Sequence, residues 1–363
     1  MLLTIATRIK RFIRAWCAHI FFCIIAVPLF ILSIIRLVLK RGPSVLFRGW
    51  AERDATAIHA RELEFGNKRF IDLKNGIRLS ILEAGDSKKP LLLLLPGFPE
   101  CAYAWRWWLR AFSKDFHVVA VDQRGYNESS KPSGSIHYRV RELVDDIEGL
   151  IVALQHGGEK IHLAAHDWGG MVGWCAAAHL DAHNALSRLI IINAPHPASY
   201  FSNLGFSQML KSLYIVFFQL PYAPEWLLSR NDGEAIGTML MGKVMGVRRR
   251  DAKTSLTNAD LEVFKFAFSR PGAATGALNW YRQLFDATHE DFDVLAPSKE
   301  KPLTVPVLII WGADDGALGP ELIKGVEVYA PKLTTRLIQN CSHWAQQDAV
   351  EEVIETAAAF LNA

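Results

Sequence analysis

The chain has 363 residues, half of them hydrophobic, with 40 basic against 37 acidic side chains and a formal net charge of +3. So small a net charge removes any broad electrostatic case for nucleic acid or an acidic partner, and the apolar content is that of a globular chain, not a disordered one. The length suits one enlarged domain behind an appendage, while five cysteines at irregular spacing (17, 23, 101, 175, 341) offer neither a disulfide framework nor a CxxC metal site.

From Ala15 to Ile35 there is no Asp, Glu, Lys or Arg. At about 1.5 Å per residue such a helix reaches the roughly 30 Å thickness of a hydrocarbon core, and Pro28 is tolerable because spanning helices accept proline. The run exceeds the apolar core of a signal peptide and no small-residue cleavage site follows it. Residues 1–42 are therefore expected to be an uncleaved, single-pass anchor with the lipid bilayer as partner. Arg8, Lys10, Arg11 and Arg14 precede the span and Arg36, Lys40, Arg41 and Arg48 follow it, so the charge bias leaves its orientation open. Two glycosylation triplets, at Asn127 and Asn340, fall in segments expected beside the active site and favour the cytosolic face only slightly.

Residues 43–68 read as a mixed linker. Arg69 to Leu73 and Ile77 to Glu83 are expected strands joined by Lys74-Asn75-Gly76, because Asn-Gly between apolar runs is a strong hairpin signal. Strands are then expected at Leu91–Leu95, His117–Val121, Lys160–His166 and Leu189–Asn193, separated by helical stretches at Tyr103–Phe112, Arg139–Gln155 and Gly170–His179. Apolar strands alternating with helices imply a parallel sheet covered on both faces. Beyond Pro197 the alternation stops for about a hundred residues rich in aromatics, and strands resume at Val307–Trp311 and Thr335–Gln339. The expected organisation is a sheet core at 69–196 and 301–363, interrupted by a helical cap at 197–300. Ligands of open parallel sheets bind beyond the carboxyl ends of the strands, so those loops are where the chemistry is sought.

At the end of the strand Lys160–His166 stands Ala165-His166-Asp167-Trp168-Gly169-Gly170, directly before a helix. A strand turning straight into a helix pushes its central side chain out, and small residues two positions either side let the backbones approach. Beside a helix N-terminus, Asp167 is favoured as the anion. The plainer reading is a helix cap. A carboxylate nucleophile leaves an ester that base-activated water must hydrolyse, so the nucleophilic reading needs a histidine. The chain has 12 histidines, and position selects His343, in Cys341-Ser342-His343-Trp344 after the last strand. The loop after Val307–Trp311 holds Asp314 and Asp315, either of which could orient that histidine. Acid nucleophile, acid orienter and histidine follow the hydrolase order Ser, Asp, His with Asp in place of Ser.

Read together, Pro96-Gly97-Phe98-Pro99-Glu100, Asp122-Gln123-Arg124-Gly125-Tyr126, His166-Asp167-Trp168-Gly169-Gly170 and Cys341-Ser342-His343-Trp344 resemble the epoxide hydrolases of the α/β-hydrolase fold, from about residue 69 to the C-terminus. With its N-terminal apolar run the chain is similar to the membrane-anchored animal members, which implies an endoplasmic reticulum or related endomembrane location. The resemblance implies that Asp167 attacks the epoxide carbon and that His343 activates water. It also selects Asp315 as orienter, by the pattern Gly-x-x-Asp-x-x-Leu at Gly312 to Leu318, with Asp314 as fallback. Tyr281 and Tyr214, in matching cap contexts, would donate protons to the epoxide oxygen, and the amides of Phe98 and Trp168 would hold the oxyanion. No cofactor or metal is implied, and the partners are an apolar epoxide, such as that of a fatty acid, and water.

One departure is plain: the family usually begins the first motif with histidine, and this chain has Pro96. Proline has no N–H and no polar side chain, so the loop must be braced in another way. A cis Phe98–Pro99 bond is expected to swing the Phe98 amide towards the pocket. Two other readings compete. A haloalkane dehalogenase also attacks with Asp and often carries Trp after it, as Trp168 does here, but the two tyrosines and Phe98, where many dehalogenases place Asn, favour an epoxide. An inactive, membrane-tethered binding protein of the same fold would have no need to keep Asp167, Asp315 and His343 together.

Overall fold

The computed structural model describes residues 24–156, 158–249, 256–284 and 295–363. The first described helix, α1 (24–41), is followed by an irregular stretch and α2 (Ala55–Leu63). The core is one eight-stranded sheet in the order β1-β2-β4-β3-β5-β6-β7-β8. β1 (Asn67–Asp72) and β2 (Arg78–Ala84) form the expected hairpin, and β2 runs antiparallel to β4 (His117–Asp122). From β4 onward every pair is parallel, through β3 (Leu91–Leu95), β5 (Ile161–His166), β6 (Leu186–Ile192), β7 (Val307–Gly312) and β8 (Leu333–Ile338).

The central strands are buried along their length because helices cover both faces: every residue of β3, β4 and β7 is buried. Between β3 and β6 lie α3 (Arg106–Phe112), α4 (Val140–Ala153) and α5 (Trp168–Ala182). In α4 the buried side is Val140, Leu143, Val144, Ile147, Leu150 and Ile151, an apolar face at helical spacing. Between β6 and β7 all described elements are helical: α6 (Pro197–Ser202), α7 (Phe206–Lys211), α8 (Leu213–Phe217), α9 (Ala223–Met241), α10 (Asn258–Ser269) and α11 (Ala273–Gln283). A short α12 (Ala345–Asp348) and α13 (Val350–Leu361) close the chain.

The stretch 43–68 is more than a linker. Asp54 caps α2 by accepting from the Thr56 amide, and Lys68 pairs with the buried Glu62 at 2.7 Å. Only Ile58 and Glu62 of α2 are buried, so no apolar periodicity announces this helix. Residues 40–53 also grip the cap where α9 breaks, at Arg230–Gly233, three of whose residues are left-handed. There the Asn231 and Asp232 amides donate to the carbonyls of Arg48 and Gly49 at 2.8 and 2.9 Å, and Arg53 pairs with Asp232 at 2.8 Å. Gly233 lies under the Trp50 ring, where a Cβ would come within 2.1 Å of a ring carbon.

Residues 15–23 of the expected membrane span lie outside the described residues, and no described helix is long and apolar enough to cross a membrane. Of the two glycosylation triplets, Asn127 is buried with its amide donating to Asp122 at 2.8 Å, so it has no room for a glycan, whereas Asn340 is exposed.

Candidate active site

β5 ends at His166, α5 begins at Trp168, and Asp167 is the whole connection, held at φ 50°, ψ −121°. Such a backbone is costly for a residue with a Cβ and persists only where the surroundings over-determine it. They do so here. A Cβ on Gly97 would lie 2.4 Å from the Asp167 Cβ, and one on Gly169 would lie 2.4 Å from the Leu95 carbonyl oxygen, so both approaches require glycine. The Asp167 side chain makes no cap bond to its own helix, which removes the plainer reading of this residue.

Three loops at the carboxyl ends of strands converge on it. The loop after β3 brings the Phe98 amide, which donates to Asp167 Oδ1 at 2.8 Å, and the Phe98–Pro99 bond is cis. The loop after β8 brings His343, whose Nε2 lies 3.3 Å from Asp167 Oδ2. The loop after β7 brings Asp315, whose Oδ2 lies 2.7 Å from His343 Nδ1. Asp315 is buried and fully engaged: Oδ1 accepts from the amides of Ala317 and Leu318, and Oδ2 also accepts from Asn193 Nδ2 at 2.7 Å. Asp314 is exposed, and the contacts it makes here are through its backbone: its amide donates to the Cys341 carbonyl, and its carbonyl accepts from Arg248. The structure therefore places Asp315, not Asp314, on the histidine.

The electrostatics follow from this packing. Burial pushes the Asp167 carboxyl up, but the hydrogen bond and charge of His343, the charge of His166 and the Phe98 amide outweigh it and hold the group below the usual carboxylate range. Burial works against a charged His343, yet the carboxylates of Asp315 and Asp167 prevail and raise it to about 10. Tyr281 and Tyr214 reach the same cavity from α11 and α8. Burial first, then the charge of Asp167 for Tyr214 and the neighbouring Tyr214 and Asp167 for Tyr281, push both hydroxyls well above the ordinary tyrosine value, so each is a proton-bearing donor. Trp168 meets Tyr281 edge to face, with ring centroids 4.8 Å apart.

Two apolar cavities meet at Asp167, Tyr214 and Tyr281. One, of about 150 Å³, is lined further by Met171, Tyr200, Phe201, Ile215 and Leu318. The other, of about 170 Å³, runs past His343 between Phe218, Met239, Met245 and Trp344.

A buried polar layer beneath the site has no counterpart in the sequence reading. His166 Nδ1 lies 2.8 Å from Glu100 Oε2 and its Nε2 lies 2.9 Å from the His343 carbonyl oxygen, so this ring ties the elbow to the base loop. Gln346 and Gln347 donate to the same Glu100 carboxylate. Asn193 likewise escaped notice, although its place at the end of β6 beside the Asp315 loop was a usable signal. The brace that Pro96 requires is Gln123, whose Nε2 donates to the Pro96 carbonyl at 2.8 Å.

The chain matches the family model of the α/β hydrolase fold over residues 90–350. It is 34% identical to "Epoxide hydrolase 4" of Homo sapiens over 327 residues, covering 89% of this chain and 86% of that one. It is 36% identical to "Epoxide hydrolase 3" of Xenopus tropicalis over 329 residues, covering 89% and 85%. Among solved structures, an epoxide hydrolase of Bacillus megaterium in complex with an inhibitor superposes with a TM-score of 0.71 at 31% identity, over 81% of this chain and 100% of that one. A carboxylate elbow, its histidine and its orienting carboxylate, in a fold and a sequence shared with these enzymes, place the chain in the epoxide hydrolase family of the α/β-hydrolase fold.

Proposed function

We propose that the chain converts apolar epoxides to vicinal diols in two steps carried by Asp167 and His343. Asp167 attacks an epoxide carbon, the carbon–oxygen bond of the ring breaks, and an alkyl ester forms on the carboxylate. As negative charge leaves Asp167 for the ring oxygen, Tyr281 and Tyr214 both hydrogen bond that oxygen and one of them transfers the single proton it needs, leaving a tyrosinate that the His343 imidazolium reprotonates. Ester formation also neutralises one of the two carboxylates that hold His343 protonated. The imidazole then gives up its proton more readily and can take one from the hydrolytic water, while Asp315 keeps Nδ1 as the donor side. The Phe98 amide at Oδ1, with the Trp168 amide at the start of α5, receives the oxyanion of that second step.

The observation that carries this reading is the line Asp167–His343–Asp315, at 3.3 and 2.7 Å, beneath the buried Tyr281 and the half-buried Tyr214. The dehalogenase alternative needs N–H donors at the leaving group, whereas two hydroxyls, of Tyr281 and Tyr214, share the cavity with Asp167. As for substrate, two apolar arms meeting at the nucleophile favour an epoxide set within a chain, with an apolar group on either side, over a terminal one. Fatty-acid epoxides have that form. The uncharged run 15–35 supports a further part of the proposal, that the enzyme is a single-pass protein of the endoplasmic reticulum or a related endomembrane.

The test is at the tyrosines. In Tyr281→Phe, ester formation measured in a single turnover is expected to slow by about 10²-fold, as for loss of one positioned acid. Tyr281→Phe with Tyr214→Phe is expected to lose nearly all ring opening. An unchanged rate of ester formation in the double variant would refute the donor assignment.

A further inference from the structure

α7 is built inside out. Gln208 is fully buried, its Nε2 donating to the Ala317 carbonyl at 2.8 Å and its Oε1 accepting from the Gly319 amide at 2.9 Å, which fastens the helix to the loop carrying Asp315. Lys211 points the same way, its Nζ donating to the Asp315 carbonyl at 3.1 Å. The apolar residues of the helix face outward instead: Phe206, Met209 and Leu210 are 76%, 53% and 53% exposed. Their spacing, i, i+3 and i+4, makes them one continuous face. Phe201, 63% exposed on α6, adjoins them in the chain and lines the cavity that holds Met171 and Ile215. A water-facing helix has the opposite arrangement, and an apolar face at a cavity mouth marks an interaction surface.

The chain itself indicates what covers this face. α8 follows α7 directly at Ser212, and its Phe217 stacks on Phe30 of α1 at 5.9 Å, with Trp226 edge-on at 6.0 Å. The uncharged N-terminal run therefore arrives beside α8. On α1 the outward residues as far as Ile35 are apolar, Ile24, Val27, Pro28, Ile31, Leu32 and Ile35, and beyond them Arg36, Lys40 and Arg41 are exposed with Leu39.

We propose that the outward face of α7, together with Phe201, rests in the surface layer of a lipid bilayer beside the point where α1 leaves it, so that the mouth of the cavity lined by Phe201 opens onto lipid and not onto water. An apolar epoxide dissolved in the membrane then reaches Asp167 without crossing the aqueous phase. This rests on the membrane location proposed above and goes beyond it, since a tether at residues 15–35 alone would leave the cap free to face away.

The experiment uses the full chain in phosphatidylcholine vesicles whose acyl chains carry a nitroxide quencher. Cys17 and Cys23 are changed to Ser, the other three cysteines being buried, and an environment-sensitive fluorophore is attached through Met209→Cys or, as control, through Val152→Cys. Val152 is exposed at the far end of α4, which leads to the start of β5 and so lies opposite the elbow. The label at 209 is expected to be quenched several-fold and the label at 152 not at all. Protein that floats with the vesicles but keeps an unquenched label at 209 would overturn the docking face and leave the anchor standing. Protein that does not float would overturn both. A change at 209 that appears without lipid and grows with protein concentration would assign the face to a second copy of the chain and overturn the proposal. As a functional arm, Phe206→Ser with Met209→Ser and Leu210→Ser is expected to raise KM several-fold for a vesicle-dissolved epoxide while leaving kcat/KM for a water-soluble one unchanged. Equal KM for both substrates, before and after substitution, would count against it.

Discussion

Asp167→Ala protein is expected to form no diol from any epoxide, a loss of at least about 10⁴-fold in kcat, the scale seen when the nucleophile of a catalytic unit is removed. Every other group of the site acts on this one carboxylate. The Phe98 amide donates to its Oδ1, His343 lies against its Oδ2, and the two tyrosines line the cavity above it. Without the carboxylate there is no ester, and His343 faces an alanine with nothing to hydrolyse. The elbow is held by the glycine contacts and by the pairing of β5 with its neighbours, so the fold is expected to survive, which a melting curve checks alongside diol analysis by chromatography. Diol formation near the normal rate in a folded Asp167→Ala protein would mean that water attacks the epoxide directly.

His343→Gln should separate the two steps. Attack by Asp167 needs no base, so one equivalent of epoxide is expected to be consumed rapidly and then stop, with the protein gaining the mass of one substrate. Turnover should fall by about 10³-fold or more, in line with loss of a general base at the rate-limiting step. The positions of the groups support that division: His343 is raised to about 10 while both carboxylates are charged, and alkylation of Asp167 removes one of those charges. The imidazole is thus a base chiefly once the ester exists. Intact-protein mass spectrometry a few seconds after mixing reads the outcome, and steady diol production with no adduct would show that another group activates the water.

Much of this site was legible in the sequence because most of its loops follow strands with a clear apolar pattern. The runs ending at Leu95, His166 and Trp311 announce themselves, whereas β8, before His343, is mostly exposed and was marked by its place between β7 and the C-terminal helix. In a parallel sheet the carboxyl ends of the strands lie on one side, which brings residues as distant as Asp167 and His343 together. The antiparallel hairpin was readable from Asn75-Gly76 for a local reason, a turn chemistry that few other dipeptides satisfy. The choice between Asp314 and Asp315 was not readable from the residues. It depends on which carboxylate the turn tucks inward, where the amides of Ala317 and Leu318 and the side chain of Asn193 complete it. The family pattern had pointed to Asp315, the one whose Oδ2 lies 2.7 Å from His343 Nδ1.

Other features depend on long-range packing and left no periodic trace. α2 buries little more than Ile58 and Glu62, and the polar layer of Glu100, His166, Gln346 and Gln347 joins residues almost 250 positions apart. The grip of residues 40–53 on the broken α9 is of the same kind, since the left-handed turn at Asn231 and Asp232 is stable only with the Arg48 and Gly49 carbonyls in place. α7 is the sharpest case, because its apolar residues would normally be assigned to the core and they lie on the surface.

A single turnover in H₂¹⁸O, with enzyme in excess over substrate, distinguishes oxygen delivered to the epoxide carbon by Asp167 from oxygen delivered directly by water. The first diol is expected to carry no ¹⁸O, with the label appearing instead in the peptide containing Asp167. A diol labelled in that first turnover, with Asp167 unlabelled, would show that water attacks the epoxide itself.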